Sequence, residues 1–123
     1  MPSMEVGPRE RSGRATYLLR YRFKPEAWTT MTRHPHDLRE AAAEVVEQVS
    51  NFRLRDFWYA FGQHECYLVL EGDGAVDAAV IATSLAAGAS LRLVETIQLF
   101  SSSDVIETLT RTQRLLRRRE RAS

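Results

Sequence analysis

The sequence has little cysteine and no long apolar run, and both shortages exclude classes of protein. Its one cysteine, Cys66, cannot close a disulfide within the chain, so nothing indicates an oxidising compartment. No apolar run approaches the roughly 20 residues that a membrane-spanning helix needs. The polar stretch from Pro2 to Arg14 also lacks the charged and then apolar pattern of a signal peptide. We therefore expect a cytoplasmic protein that makes no use of a membrane.

A strong excess of one charge is also missing. The formal net charge is +1 at pH 7, which argues against nucleic acid as a partner. Arginines nevertheless cluster within residues 9–14 and 114–121, and we interpret these clusters as solvated tails rather than as arms that bind a polyanion. The predicted organisation is a disordered tail over residues 1–14, one domain over residues 15–116 and a basic tail over residues 117–123.

Two hydrophobic periodicities predict the order of helices and strands. Alternation predicts strands at residues 15–23, 52–61, 65–71 and 91–100, with a hairpin turn at Gly62 and Gln63. Apolar stripes predict helices at residues 26–32, 37–50, 75–87 and from about 102 to 116, the last with a capping box of Ser101 and Asp104. This order predicts an α+β, ferredoxin-like βαββαβ fold with an extra C-terminal helix. Its four-stranded antiparallel sheet would carry both crossover helices on one face.

The opposite sheet face, which we call the open face, is left without helices in this arrangement. Alternation assigns to it Thr16, Leu18, Arg20 and Arg22 of the first strand, Asp56, Trp58, Ala60, Glu65, Tyr67 and Val69 of the hairpin, and Arg92, Val94, Thr96, Gln98 and Phe100 of the fourth strand. The last assignment sends Glu95 toward the core unless a β-bulge intervenes. Because the face mixes large apolar groups with charges, we expect a second subunit, a ligand or both to lie against it.

The open face supplies the candidate site residues. The candidate ligand-binding residues are Arg20, Trp58, Tyr67, Thr96 and Gln98. Asp56 and Glu65 are candidate general bases, because partial burial beside Trp58 would raise their pKa. The alternative, which we favour, is that these acids form ion pairs with Arg20 or Arg92.

Histidines provide two further candidates. His64 and Cys66 are two residues apart, as a nucleophilic pair on one strand face would be, although a buried cysteine beside a turn histidine is the interpretation that we favour. His34 and His36 could begin a metal site, but no second cluster of ligands follows. We therefore predict no metal and no cofactor.

Four segments resemble a known family. They are Thr16-Tyr17-Leu18-Leu19, Pro25-Glu26-Ala27-Trp28, the stretch from Phe57 to Gly62 and the stretch from Glu95 to Ser101. On these residues the chain resembles the GYD-domain family over residues 15–116. The motif after which the family is named differs in this chain. The chain has Gly62-Gln63-His64-Glu65, with His at the position where the family has Tyr. The resemblance implies a dimeric α+β barrel, in which two sheets face each other around a cavity, and it implies no particular activity.

Three functions remain open at this point. We favour a homodimeric, or larger homo-oligomeric, binding or regulatory module that encloses a small, partly apolar ligand. The alternative is a cofactor-independent monooxygenase or isomerase, with Asp56 or Glu65 as base and Arg20 or Arg92 stabilising an anion. The third is a purely structural partner protein.

Overall fold

A computed structural model describes residues 14–49 and 51–122 of the chain. The elements are β1 (Ala15–Phe23), α1 (Pro25–Arg33), α2 (Arg39–Glu47), β2 (Phe52–Ala60), β3 (Glu65–Gly72), α3 (Ala75–Ala86), β4 (Leu91–Leu99) and α4 (Ser102–Ala122), with a 3₁₀ turn at Phe61–Gln63 between β2 and β3. The four strands form one antiparallel sheet in the order β2-β3-β1-β4. The α+β class and the ferredoxin-like arrangement are thereby confirmed.

The core lies between the sheet and helices α2 and α3. Leu19, Leu68 and Leu70 on the covered face of the sheet are fully buried, as are Val46 of α2 and Ile81 of α3. Each such side chain contributes about 1.5–3 kcal/mol by leaving water. The core therefore holds the strands in register and leaves the other sheet face bare, as predicted.

The register of the β2–β3 hairpin matches the prediction, although its turn does not. Tyr59 lies opposite Cys66 and Phe57 lies opposite Leu68, as the alternation predicted. The reversal, however, is made by the 3₁₀ turn and by His64, which has a left-handed backbone with φ of 53°. The His64 N–H donates to the Phe61 carbonyl oxygen at 3.1 Å, so the turn closes without requiring that conformation of Gly62.

A β-bulge in β4 corrects the predicted facing of that strand. Arg20 lies opposite Glu95 but Tyr21 lies opposite Leu93, so one extra residue is accommodated between them. The bulge brings Glu95 to the open face, which removes the conflict noted in the sequence. It also places Thr96 opposite Leu19 and Gln98 opposite Tyr17, on the covered face. The assignment of Thr96 and Gln98 to the open face was therefore wrong.

The C-terminal helix is longer than predicted. The capping box is confirmed, since the Asp104 N–H donates to Ser101 Oγ at 3.0 Å and the Ser101 N–H donates to Asp104 Oδ2 at 3.1 Å. The helix then continues to Ala122 rather than ending near Leu116, because the Arg-rich residues that follow are good helix formers and favour a helix C-terminus. Of the disordered tail predicted over residues 1–14, residues 1–13 lie outside the described residues. No helix in the described ranges combines the length and apolarity that crossing a membrane requires.

Candidate functional site

The open face is a grid of side chains in cross-strand rows. One row runs Trp58, Tyr67, Arg20, Glu95 from β2 to β4, and its neighbours run Asp56, Val69, Leu18, Ile97 and Ala60, Glu65, Arg22, Arg92. Partners in an antiparallel row lie side by side on the same face. The structure therefore brings together three of the five predicted ligand-binding residues, Arg20, Trp58 and Tyr67.

Glu65 is the buried charge of this face. Its Oε1 accepts a hydrogen bond from Arg20 Nε at 2.9 Å, and its Oε2 accepts one from Arg22 Nη2 at 2.8 Å. The side chain is completely buried beneath these guanidiniums. Hydrogen bonding from Arg20, opposed by desolvation, lowers the pKa of Glu65 to about 2. Our expectation of a raised pKa for Glu65 was wrong. The ion pair that we favoured is confirmed with Arg20, and the second arginine bound to Glu65 is Arg22 rather than Arg92.

Asp56, the other candidate base, is in a different environment. Its side chain is 42 % exposed, and Oδ2 lies 3.6 Å from Nε of the adjacent Arg55. Its cross-strand neighbour is Val69. Asp56 is therefore separate from the Glu65 cluster, and its ion pair is with Arg55 rather than with Arg20 or Arg92.

The aromatic members of the row have different roles. The Tyr67 hydroxyl donates a hydrogen bond to Glu65 Oε1 at 3.2 Å, so the polar end of this side chain already has a partner within the face. Trp58 is 63 % exposed. The adjacent row of the face carries Val69 and Leu18, which are half-buried. The open face consequently presents an apolar strip beside a satisfied ion-pair cluster.

His64 and Cys66 do not form a reactive pair. Cys66 points into the core, and burial, with a smaller contribution from the charge of Glu65, raises the pKa of its thiol to about 12. His64 lies in the turn, where its ring packs on Trp28 with centroids 5.1 Å apart. The interpretation of Cys66 as a buried apolar residue is confirmed.

In the second histidine pair, the ring of His36 is bonded to the backbone of His34. His36 Nδ1 donates to the His34 carbonyl oxygen at 2.7 Å. Across residues 14–49 and 51–122, no group of three or more His, Cys, Asp or Glu side chains is arranged to hold a metal ion.

Helix α4 borders one end of the open face. A cleft of about 690 Å³ separates its inner side, which includes Thr108 and Leu115, from a wall that includes Thr16 and Arg55. All residues of α4 whose side chains are described are exposed. The helix thus meets the sheet across a cleft instead of packing against it.

Comparison with protein families shows which family the chain belongs to. A family model for the GYD domain matches residues 17–109. The chain belongs to the GYD-domain family. Comparison with curated proteins and with solved structures finds no match to either. The resemblance seen in the sequence is thereby confirmed.

In this GYD domain the altered naming motif has a structural role. Gly62 and Gln63 lie in the 3₁₀ turn, and His64 ends that turn with a left-handed backbone. Glu65, the first residue of β3, is the acid of the buried cluster. The motif therefore places a carboxylate where β1 can supply two arginines to it.

A second cavity in the GYD domain was not foreseen from the sequence. It has a volume of about 360 Å³ and lies on the side of the covered face, between α1, the segment before α2 and the end of β2. Trp28, Asp37, Tyr59 and Phe61 contribute to its wall. The signal in the sequence was the run of aromatic residues that ends at Phe61. Alternation assigned this run to the covered face, but it could not show that Phe61 lies beyond the helices.

Proposed function

We propose that this GYD domain is a homo-oligomeric binding module, most simply a homodimer, whose open faces meet and enclose a small, partly apolar molecule. The observation that carries the proposal is the composition of the open face. Trp58 is 63 % exposed there, in the same row as the Arg20–Glu65 cluster and beside Val69. Such a face is too apolar to be left to water and too charged to be a dry core.

The energetics favour a second copy over solvent. Burying a large apolar side chain contributes about 1.5–3 kcal/mol, and Trp58 is the largest group on the face. A two-fold contact brings the same patch of both chains together, so each Trp58 would be buried by one association event. Leu18, Val69 and Ile97, which are each half-buried, would add to the same contact.

Helix α4 provides separate support for self-association. It has 21 residues, and Val105, Leu109 and Leu116 form an apolar stripe along it. An amphipathic helix normally gains most of its stability by packing such a stripe against other parts of a protein. In the single chain the stripe is exposed, which is the state expected of an arm that packs on another subunit.

The charges favour an enclosed cavity over a tight seam. Arg20, Arg22 and Glu95 keep exposed side-chain fractions of 33 %, 43 % and 50 %. Sealing them without partners would cost several kcal/mol for each ion. A pocket between the two sheets would leave these groups in contact with water or with the polar end of a ligand. The apolar body of that ligand would lie on Leu18, Val69 and Trp58.

Binding is better supported than catalysis by the two candidate bases. Glu65 accepts hydrogen bonds from two guanidiniums and a phenol, and its pKa is lowered, so it is a poor proton acceptor near neutral pH. Asp56 has an ion-pair partner in Arg55 at 3.6 Å. Of the two candidate bases, only the partly exposed Asp56 would then remain for a cofactor-independent enzyme.

Native mass spectrometry of freshly purified protein tests the proposal. We expect a species of twice the 14.1 kDa chain mass that carries the additional mass of a small molecule. Loss of that mass under harsher activation should identify the ligand. A monomer at micromolar concentration would contradict the proposal. A dimer that never carries added mass would favour the structural-partner alternative.

A further inference from the structure

A cavity between α1 and β2 lies on the other side of the sheet from the open face. Its volume of about 360 Å³ suits a small molecule. Its wall is mostly carbon and, within the described residues, includes neither lysine nor arginine. The inference drawn from it does not depend on the proposed function.

Three aromatic rings form one corner of this cavity. The centroids of Trp28 and Phe61 are 5.7 Å apart with planes at 66°, and those of Tyr59 and Phe61 are 6.4 Å apart with planes at 31°. Phe61 is 72 % exposed, so its ring stands at the mouth rather than in the core. Aromatic ring faces carry negative electrostatic potential and attract cations.

A fixed carboxylate adds negative charge to the same wall. Asp37 Oδ1 accepts hydrogen bonds from the Tyr59 hydroxyl at 2.8 Å and from the Arg39 N–H at 3.0 Å. These bonds lower the pKa of Asp37, the one from Arg39 most, and keep the carboxylate ionised. Among the described residues none donates a hydrogen bond to Asp37 Oδ2.

The neighbouring cationic groups leave this charge available. The Arg39 guanidinium also lowers the pKa of Asp37, but no ion pair within 4 Å joins them in the described chain. His36, which also lines the cavity, donates Nδ1–H to the His34 carbonyl oxygen. The wall is therefore aromatic and anionic where a ligand would enter.

We propose that this cavity binds a small organic cation of the quaternary ammonium class. The Trp28, Tyr59 and Phe61 rings would face its methyl groups, and Asp37 would balance its charge. A primary ammonium has three N–H donors to satisfy, which a mostly carbon wall does not favour, whereas a quaternary ammonium has none. Anions are excluded because Asp37 would repel them.

A pair of probes of equal shape separates charge recognition from apolar binding. Choline carries a trimethylammonium group, and 3,3-dimethylbutan-1-ol replaces its nitrogen with carbon. The chain has two tryptophans, so two indole N–H signals report on binding in a ¹H–¹⁵N spectrum, assigned with Trp58→Phe. We expect choline to shift the Trp28 signal saturably and leave Trp58 unmoved. The neutral alcohol should bind at least about tenfold more weakly.

Two variants and one matched control complete the test. Phe61→Ala and Asp37→Asn should each weaken choline binding by about fivefold or more. Phe100→Ala removes another exposed aromatic ring, 63 % exposed, outside this cavity and should leave binding unchanged. Folding of each variant is read from the same spectra. Equal binding of the two probes, full binding by Phe61→Ala, or a shift of Trp58 instead of Trp28 would overturn the proposal.

Discussion

Arg20 on β1 forms a two-pronged ion pair with Glu65 on β3. Arg20 Nε donates to Oε1 at 2.9 Å, and its Nη2 donates to Oε2 at 3.2 Å. The two residues are not cross-strand partners, since Arg20 lies opposite Tyr67 and Glu65 lies opposite Arg22. The pair therefore runs diagonally and joins two rows of the open face. A fully buried carboxylate is thus stabilised by side chains that remain partly in water.

The first prediction concerns the acid stability that follows from Glu65. Its pKa falls from the ordinary 4.5 to about 2 in the folded protein, so the unfolded chain binds this proton more readily. The resulting stabilisation is fully present above the ordinary pKa and is lost as the pH falls through the folded pKa. We expect the free energy of unfolding, measured in urea, to decrease between about pH 5 and pH 2. Glu65→Gln should flatten this decrease.

Glu95→Gln is the control for that variant. Glu95 also bonds to Arg20, through Nη1 at 3.3 Å, but its side chain is 50 % exposed. At neutral pH we expect Glu65→Gln to lower the free energy of unfolding by about 1–3 kcal/mol. The exposed Glu95→Gln should cost less than about 1 kcal/mol. Equal losses of unfolding free energy in the two variants would show that the burial of Glu65 adds nothing to stability.

The second prediction compares two glycines. A Cβ at Gly72 would lie 2.4 Å from the Phe52 ring and 2.5 Å from the Asn51 carbonyl oxygen, whereas a Cβ at Gly62 would meet nothing within 4 Å. We expect Gly72→Ala to lower the free energy of unfolding by about 1–3 kcal/mol, because backbone must move. Gly62→Ala should be neutral or slightly stabilising. Thermal melts of both variants test this difference. Equal melting temperatures would contradict the close contact expected for a Cβ at Gly72.

The third prediction concerns the single cysteine. Burial raises the pKa of the Cys66 thiol to about 12, so both access and thiolate are lacking near neutral pH. We expect no reaction with a thiol-specific disulfide reagent at pH 8 in the folded protein and complete reaction in denaturant. Fast labelling of folded protein would show that the thiol is exposed and would restore the His64–Cys66 pair as a candidate.

The facing of the hairpin strands next to the turn was predictable because the side chains alternate strictly there, whereas the irregularity between Leu54 and Asp56 was not predicted. Phe57, Cys66 and Leu68 all lie on one face in the sequence and in the structure, and the register survives an unforeseen turn type. Turn chemistry was harder to predict, since the left-handed conformation fell on His64 rather than on Gly62. Side-chain period two constrains facing more strongly than it constrains how the chain reverses.

The fourth strand shows where sequence reasoning fails. Alternation cannot locate a bulge, and each bulge inverts the facing of every residue beyond it. The charge on Glu95 showed that a bulge was needed, but not that Thr96 and Gln98 would move to the covered face with it. The aromatic cavity was also hidden, because Trp28, Asp37 and Phe61 belong to three separate segments that only the tertiary fold brings together.

The last prediction tests the open face as the self-association surface, through Trp58→Glu. The change places a carboxylate on the exposed side of the row that contains Tyr67 and Arg20. Because Trp58 is 63 % exposed in the single chain, the fold should tolerate it, and circular dichroism should stay unchanged. In a two-fold dimer, however, two buried and unpaired carboxylates would cost several kcal/mol each. We expect sedimentation velocity to show a shift from dimer to monomer.

Val76→Glu is the matched control for this experiment. Val76 is 76 % exposed and lies in the first turn of α3, on the other side of the sheet, where an acid is favourable to the helix. That variant should sediment as the wild type does, so loss of the dimer in Trp58→Glu alone would locate the contact on the open face. If Trp58→Glu remains a dimer, the contact instead uses the helices or a sheet edge. Leu109→Glu would then test the apolar stripe of α4, since it charges the stripe and leaves both edge strands unchanged.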